Sequence, residues 1–546
     1  MIQSNSPKTE GINTYLLVWT VIFIGLFATY SAAIALPFAY HDDYYFFAYD
    51  DRGSYWPHPQ ALFFLLVGRE GYIPLAYLMA KLIHTVNDLG YVRLIFVGAL
   101  ALFGTMMTKF MVRCGLSLWQ GVILSIMLLL SAGFQVGVLW VTMVPFVVAL
   151  LLSFAGGWLA LSTGEKIANR PGWLLQHILW DSKYPFVLAL AATFIYQPWA
   201  MFYLLPLCAY LIFTPLGSMR RTLTVLSTVG GIFFAAIITY FVLHRYIFLP
   251  YLPSYFFPQA RTSIEDPTFA FKITADLGGK INFLLHDILL HATNLWNIYL
   301  SNLMELVILF LIFSGAVAGL FRIWKQGESR KRLQEAGLRF LALAGLSVCA
   351  VLPVLVASGG HSGFRVVTPL SAMLVLMLGG AIMEMSRFQG RQFIRAELTS
   401  RAILGTVSVL AAVLAWGNVR DSALNASQEF LTVKSTLRDY LTGDKDQEMQ
   451  FMLANPKYST TLGKPVSGVG EFNVNAASFW QDVPWIVRAA LLDLGVAPAQ
   501  ACVMTKVTER NDVPQNCIVI SVVPYSVKPG GTSSAARMSP KAKDWP

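Results

Sequence analysis

The chain has 546 residues, of which 56% are hydrophobic and 13% are charged, and its mean hydropathy is +0.57. This composition excludes an ordinary soluble domain and predicts a polytopic membrane protein. A helix needs about 20 apolar residues to cross a bilayer, and apolar runs of about this length recur along the first three quarters of the chain. The formal net charge of +10 does not imply a nucleic-acid partner, since the basic residues lie in short loops beside anionic lipid.

About eleven apolar segments are predicted to be membrane-spanning α-helices. The first is too long for a cleaved signal peptide and is interpreted as a retained span. The segments cover residues 13–37, 90–108, 117–133, 138–162, 184–197, 199–215, 222–243, 302–321, 340–357, 366–383 and 402–418. An odd number of spans places the two termini on opposite sides of the membrane.

Basic residues concentrate in every second loop, and such loops resist translocation. These loops are therefore predicted to be cytoplasmic, with the N-terminus inside and the C-terminus outside. They carry Lys109, Arg113, Lys166, Arg170, Arg220, Arg221, Arg322, Lys325, Arg330, Lys331, Arg332, Arg339, Arg387, Arg391, Arg395 and Arg401.

An acidic and aromatic segment follows the first span at the predicted outer face. It contains two acidic pairs, Asp42 with Asp43 and Asp50 with Asp51. Carboxylates at a hydrocarbon boundary are costly unless they are hydrated, paired or ligated, so this cluster is a candidate site of chemistry. A solvated loop with surface acids is the alternative. The neighbouring aromatics are candidates for stacking on a sugar, although Tyr and Trp also form an ordinary interfacial belt: Tyr44, Tyr45 and Trp56.

Two further regions are predicted to lie at the outer face. Residues 59–88 read as a helix in the interface plane, and residues 244–300 combine aromatics and prolines with an amphipathic stretch. Polar groups in these regions and at the outer ends of spans are candidates for binding a phosphate or a sugar, because cations stabilise a developing phosphate anion. They are Arg69, Glu70, Gln197, His244, Arg245, His361 and Arg365.

Each of these candidates also has a structural interpretation. Arg69 with Glu70 could be an ion pair, and His244 with Arg245 could be a cationic anchor at a span end. Gln197 could satisfy backbone groups at Pro198. The turn with His361 and Arg365 is rich in glycine, which favours a flexible phosphate-gripping loop.

Polarity rises sharply after Arg420, which predicts a small extracytoplasmic domain, α/β or β-rich, over residues 420–530 and a disordered tail over 531–546. The transmembrane part is then residues 1–419. Cys502 and Cys517 both lie in this outer region, where an oxidising compartment allows a disulfide. The sequence has no zinc-site spacing, P-loop, GxSxG or Rossmann fingerprint.

The layout of a first span, an early acidic pair, interfacial helices, many spans and an outer C-terminal region resembles the GT-C superfamily of integral-membrane glycosyltransferases. At the residue level it is similar to bacterial O-antigen glucosyltransferases over roughly residues 10–420. The similarity rests on four short motifs. They are an acidic pair followed by Arg (Asp50, Asp51 and Arg52), a Trp (Trp56), a Gly-Arg pair (Gly68 and Arg69) and a Tyr-Gln pair (Tyr196 and Gln197). The presence of two acidic pairs departs from the pattern. Proximity to the span end favours Asp42 and Asp43 as the catalytic pair, and spacing to Gly68 favours Asp50 and Asp51.

The resemblance implies a glycosyltransferase of the bacterial inner membrane with its active site in the periplasm. It implies inverting transfer from a polyprenyl-phosphate sugar to a hydroxyl of a lipid-linked glycan, such as the O-antigen of lipopolysaccharide, or of a surface protein. An Asp serves as general base in this scheme. No cofactor is required, and a divalent cation such as Mg²⁺ or Mn²⁺ is left open. The alternatives are a transporter or flippase for lipid-linked glycans and an O-antigen-type polymerase.

Overall fold

The protein is a multi-pass membrane protein built from long apolar helices. We describe a computed structural model for residues 11–40, 43–44, 64–169, 175–256, 276–298, 301–325, 330–356, 363–389, 393–442, 449–453, 483–496, 501–504 and 518–524. Within these ranges, eight helices are long and apolar enough to cross a membrane, and one bent helix pair brings the number to nine if it counts as one span.

The helices of the first half are α1 (Ile12–Ala35), α2 (Tyr72–Ala80), α3 (Asp88–Arg113), α4 (Leu118–Leu129), α5 (Ala132–Leu139), α6 (Phe146–Asn169), α7 (Leu175–Ile195), α8 (Gln197–Ala200), α9 (Leu205–Phe213) and α10 (Met219–Leu243). Short 3₁₀ turns occupy Val141–Met143 and Met201–Leu204.

The second half contains a π-helical segment at His244–Phe248, then α11 (Leu249–Phe256), α12 (Leu277–Phe283), a second π segment (Leu284–Ile288), α13 (Leu289–Thr293), α14 (Ser301–Lys325), α15 (Arg330–Ala350), α16 (Leu352–Val356), α17 (Phe364–Gln389) and α18 (Phe393–Thr442). Helix α19 (Val483–Asp493) and strands β1 (Met449–Leu453), β2 (Ala501–Met504) and β3 (Ile518–Pro524) follow.

Each of the eleven predicted spans overlaps a helix of the described ranges, but the number of spans stays a prediction. The segment predicted at 117–133 is the bent pair of α4 and α5, which meet at 60°. Helix α4 begins with a capping box, in which Ser117 and Gln120 satisfy each other's backbone N–H groups. The bend follows at Leu130, whose carbonyl accepts a hydrogen bond of 2.7 Å from Gln135 Nε2. The Tyr30 hydroxyl donates to the carbonyl of Leu129, at 2.7 Å.

The helix bundle has two chemically different ends. Arg93 and Arg113 lie on the same helix 20 positions apart, which corresponds to about 30 Å along α3. We call the end with Arg93, Asp43 and Arg69 the site end, and the end with Arg113 the opposite end. At the opposite end, Arg113 and Arg221 both pair with Glu165.

The C-terminal part begins with an unusually long helix. Helix α18 runs through position 420, where the sequence predicts a domain boundary, and continues to Thr442. Its buried residues continue at helical spacing through Phe430, Val433 and Leu437. The strands form one parallel sheet in the order β1-β3-β2, with Met449 opposite Ile520 and Ala501 opposite Ile518. That these elements form a separate domain stays a prediction.

Candidate functional site

Two arginines from distant parts of the chain lie on aromatic rings at the site end. The guanidinium carbon of Arg69 lies 4.7 Å from the ring centre of Tyr196, and that of Arg365 lies 4.4 Å from the ring centre of Trp140. Tyr196 itself stacks on Phe146, with ring centres 3.8 Å apart. Cation–π contacts of this kind are strongest where water is excluded. The rings therefore hold two planar cations at defined positions.

The two arginines are also electrostatically coupled. Burial lowers the pKa of Arg69, the electrostatic interaction with Tyr196 opposes this, and the positive charge of Arg365 lowers the pKa further. The backbone of Arg365 is fixed as well, because Trp199 Nε1 donates a hydrogen bond of 2.9 Å to its carbonyl. Bringing two like charges together costs energy unless an anion compensates them. Such a pair is a natural place for a phosphate.

The turn that carries Arg69 is held by two polar side chains from spans. Gly68 has a φ of +73°, a conformation that favours glycine, and a Cβ there would come within 2.1 Å of the Tyr240 hydroxyl oxygen. Gln197 Nε2 and the Tyr240 hydroxyl both donate to the Gly68 carbonyl, at 2.6 and 2.9 Å. Gln197 also donates to Tyr240 Oη at 2.6 Å. Gln197 thus acts here as a clamp for the turn.

Glu70 pairs with a histidine from the end of α10. His244 Nδ1 lies 2.6 Å from Glu70 Oε1, and the two side chains are only 3% and 11% exposed. The Tyr240 ring lies parallel to the imidazole, with ring centres 5.9 Å apart. Glu70 Oε2 is buried and has no hydrogen-bond partner among the residues that the structure describes. The predicted ion pair between Arg69 and Glu70 is therefore replaced by a contact between Glu70 and His244.

Asp43 is enclosed near the aromatic rings. It accepts hydrogen bonds from the backbone N–H of Tyr40 at 3.1 Å and of Thr142 at 2.9 Å, and its carboxylate lies 3.6 Å from Arg93 Nη2. Burial raises the pKa of Asp43 to about 6, while Arg93 and the backbone donors oppose this rise. The carboxyl is thus mainly ionised at neutral pH. In this arrangement its oxygens connect the backbone at Tyr40 to the backbone at Thr142.

Arg93 supplies the positive charge that stabilises the enclosed carboxylate of Asp43. Its side chain is fully buried, and its guanidinium lies 3.7 Å from the centre of the Phe38 ring. The guanidinium of Arg93 is therefore enclosed by protein rather than solvated. Arg93 Nη1 donates to the backbone carbonyl of Ala33, and Nη2 donates to those of Phe38 and Leu139.

The structure brings together Arg69, Glu70, Gln197, His244 and Arg365 among the predicted site residues. Arg245 is exposed, one position beyond the buried His244. Tyr44 is buried, and the residue is 1% exposed. Several predictions fall on residues outside the described ranges and stay untested: Asp42, Tyr45, Asp50, Asp51, Trp56, His361 and Cys517. The proposed disulfide is untested for the same reason, although the backbone of Cys502 lies in β2.

Sequence reasoning missed Trp140, Tyr240 and the role of Arg93. Aromatic residues inside apolar helices look like core or belt residues, so nothing in the pattern distinguishes Tyr240 from its neighbours. The charge of Arg93 five positions into a span was an available signal, because a charge at that depth requires a partner. Its position therefore indicated a buried acid nearby.

The described residues show no cluster of three His, Cys, Asp or Glu side chains positioned for a metal ion. The question of a divalent cation stays open, because most of the acidic segment lies outside those residues. In comparisons with known proteins, no family model matches the sequence and no curated protein matches it.

Proposed function

We propose that the chain is a membrane glycosyltransferase that moves a sugar from a polyprenyl-phosphate donor to a hydroxyl of a periplasmic acceptor. The observation that carries the proposal is the pair of guanidinium groups of Arg69 and Arg365, held on the rings of Tyr196 and Trp140. Two coupled cations at one end of a membrane bundle suit the phosphate of a lipid carrier, whose isoprenoid tail lies among the spans.

The reaction requires three functions at this end of the bundle. A base takes the proton of the acceptor hydroxyl as its oxygen attacks the anomeric carbon, and the bond from that carbon to the phosphate oxygen breaks with inversion. The arginines stabilise the charge that develops on the leaving phosphate. We assign the base to an aspartate of the acidic segment. Asp43 is bonded to the backbone, which favours Asp42 or the pair Asp50 and Asp51 for this role.

The proposed setting is the bacterial inner membrane, with the site end in the periplasm. Basic residues at the opposite end, such as Arg113 and Arg221, support this orientation by the positive-inside rule. The acceptor is a lipid-linked glycan such as O-antigen or a surface protein, and residues 420–530 help to bind it. The scheme requires no cofactor.

The proposal is tested by transfer from radiolabelled polyprenyl-phosphate sugars to lipid-linked glycan acceptors, with purified protein in lipid nanodiscs. We expect label to move to the acceptor, and Arg69→Gln to lower the rate about 100-fold, because one charge-stabilising donor contributes roughly that much. Arg220→Gln is the matched control, since Arg220 is exposed at the opposite end.

Two results contradict the proposal, and a third contradicts the role assigned to Arg69. Label that stays on the lipid with wild-type protein, across several sugars and acceptors, indicates transport of the carrier. Label that enters only chains of repeated units indicates an O-antigen-type polymerase. An equal loss of rate in Arg69→Gln and Arg220→Gln removes the assigned role of Arg69.

A further inference from the structure

One enclosed carboxylate connects the segment after α1 to the turn that follows Trp140. Asp43 is fully buried, and its two oxygens accept hydrogen bonds from distant parts of the chain. Oδ2 accepts from the backbone N–H of Tyr40 at 3.1 Å, and Oδ1 accepts from the backbone N–H of Thr142 at 2.9 Å. The rings of Tyr40 and Trp140 also pack against each other, with centres 5.6 Å apart. Asp43 therefore fixes both the turn and a ring that contacts Trp140.

The ring next to this turn holds Arg365. Trp140 directly precedes the 3₁₀ turn Val141–Met143 and is 2% exposed. The guanidinium carbon of Arg365 lies 4.4 Å from the centre of its indole ring. Because a cation–π contact depends on where the ring lies, a shift of the turn displaces the guanidinium as well. The position of Arg365 thus depends on the hydrogen bond between Asp43 and Thr142.

The same turn is connected to Arg69 through Tyr72. The Tyr72 hydroxyl donates a hydrogen bond of 2.9 Å to the carbonyl of Thr142. The backbone N–H of Tyr72 donates to the carbonyl of Arg69 at 3.0 Å. Thr142 is therefore bound on both sides, with its N–H donating to Asp43 and its carbonyl accepting from Tyr72. One backbone position thus connects the carboxylate to both arginines.

The arrangement requires a carboxylate at position 43. An ionised carboxylate has two oxygens that only accept hydrogen bonds, whereas an asparagine amide has one accepting oxygen and an NH₂ donor. The negative charge of Asp43 strengthens both backbone bonds, and Arg93 Nη2, 3.6 Å from Oδ2, compensates for the cost of burying it. A neutral side chain of the same shape therefore cannot make both connections.

We propose that Asp43 is a positioning residue that sets the spacing of the Arg69 and Arg365 guanidinium groups, so that both contact one phosphate. It acts through the turn at Thr142, which carries Trp140 on one side and receives Tyr72 on the other. The inference rests on the proposed function for its ligand, a lipid-linked phosphate. The general base is then another aspartate of the acidic segment.

The test measures binding of undecaprenyl phosphate to purified protein in lipid nanodiscs, beside the transfer assay. We expect Asp43→Asn to weaken binding about tenfold, because a displaced guanidinium loses charge-assisted hydrogen bonds to phosphate. When Arg365→Gln is already present, we expect Asp43→Asn to weaken binding less than about threefold, since one of the groups that it positions is absent. Asp287→Asn is the matched control with wild-type binding, because Asp287 is exposed.

A second variant tests the connection to Arg69 and decides the matter if Asp43→Asn does not fold. Tyr72→Phe removes only the hydroxyl that donates to Thr142. We expect it to weaken binding about threefold, and to have no further effect when Arg69→Gln is already present. Tyr251→Phe is its control, because Tyr251 is 68% exposed.

Three results overturn the positioning role. Wild-type binding by Asp43→Asn together with a lower kcat makes Asp43 the general base. Wild-type binding together with only a lower free energy of unfolding makes it a structural residue. Equal losses from Asp43→Asn with and without Arg365→Gln exclude positioning through Trp140. Sugar transfer by wild type leaves the proposed function intact in all three cases. If wild type binds undecaprenyl phosphate but transfers no sugar, only the proposed function fails, and absence of binding ends both.

Discussion

The two ends of the helix bundle use the same kinds of charged residue in different surroundings. At the opposite end, Arg113 and Arg221 share Glu165 while remaining 44% and 42% exposed. At the site end, Arg93 and Asp43 are fully enclosed, and Arg69 and Arg365 lie on aromatic rings. Charges in water contribute little to stability, whereas enclosed charges are costly and persist only when their partners are in place. The enclosed charges of the site end therefore depend more strongly on their partners than the exposed charges around Glu165 do.

One pair at the opposite end departs from this contrast. Glu335 and Arg339 are 1% and 8% exposed, and Arg339 donates to the carbonyl of Thr214 at 2.7 Å. Glu335 accepts from the backbone N–H of Gly217 at 3.0 Å. These bonds go to the short connection after α9, so this enclosed pair fixes a loop. What distinguishes the site end is therefore the coupling of two cations beside aromatic rings.

The largest effect is expected from breaking the enclosed pair at the site end. Arg93→Met leaves Asp43 buried without its counter-charge, and we expect the free energy of unfolding to fall by about 3–5 kcal/mol. Chemical unfolding in detergent micelles measures this change. The double variant with Asp43→Asn is expected to recover part of the loss. A fall below about 1 kcal/mol for Arg93→Met alone would remove the contrast between the two ends.

A smaller effect is expected from the clamp on the Gly68 turn. Tyr240→Phe removes one donor to the Gly68 carbonyl and one acceptor of Gln197, while the ring that faces His244 stays. We expect a loss of about 1–2 kcal/mol in the free energy of unfolding. The same unfolding measurement tests it, with Tyr246→Phe, whose side chain is 67% exposed, as the control. Equal stabilities of the two variants would contradict the clamp.

The smallest effect is expected at the opposite end. Glu165→Gln removes the shared partner of Arg113 and Arg221, yet both arginines keep contact with water. We expect the free energy of unfolding to change by less than about 1 kcal/mol. A loss as large as that of Arg93→Met, measured under the same conditions, would show that exposure does not separate the two ends.

The sequence was a good guide to where long apolar helices lie. The polar residues that it singled out near span ends include Arg69, His244 and Arg365, whose role as site residues stays a prediction. The sequence was a poor guide to which side chains contact one another. Whether Asp43 faces a cavity or the backbone depends on where Arg93 and Thr142 arrive, and periodicity carries no information on contacts between helices so far apart in sequence.

The predicted boundary at 420 illustrates a second limit, and the domain beyond it stays a prediction. Polarity rises at that position, yet α18 continues as one helix to Thr442. The apolar residues of the outer part, such as Phe430 and Leu437, keep a helical period that a reading based on polarity overlooks. A change in amino-acid composition therefore does not identify the residue at which a helix ends.

Helix α18 has a consequence for the order in which the molecule is completed. Its 50 residues extend about 75 Å, more than twice the hydrocarbon thickness, and the charge of Glu429 acts on the buried Tyr44 beside Asp43. Glu429 is thus synthesised some 380 residues after Tyr44. A chain ending at 420 has every predicted span and still lacks Glu429, so we expect the surroundings of Tyr44 to be completed only late in biosynthesis.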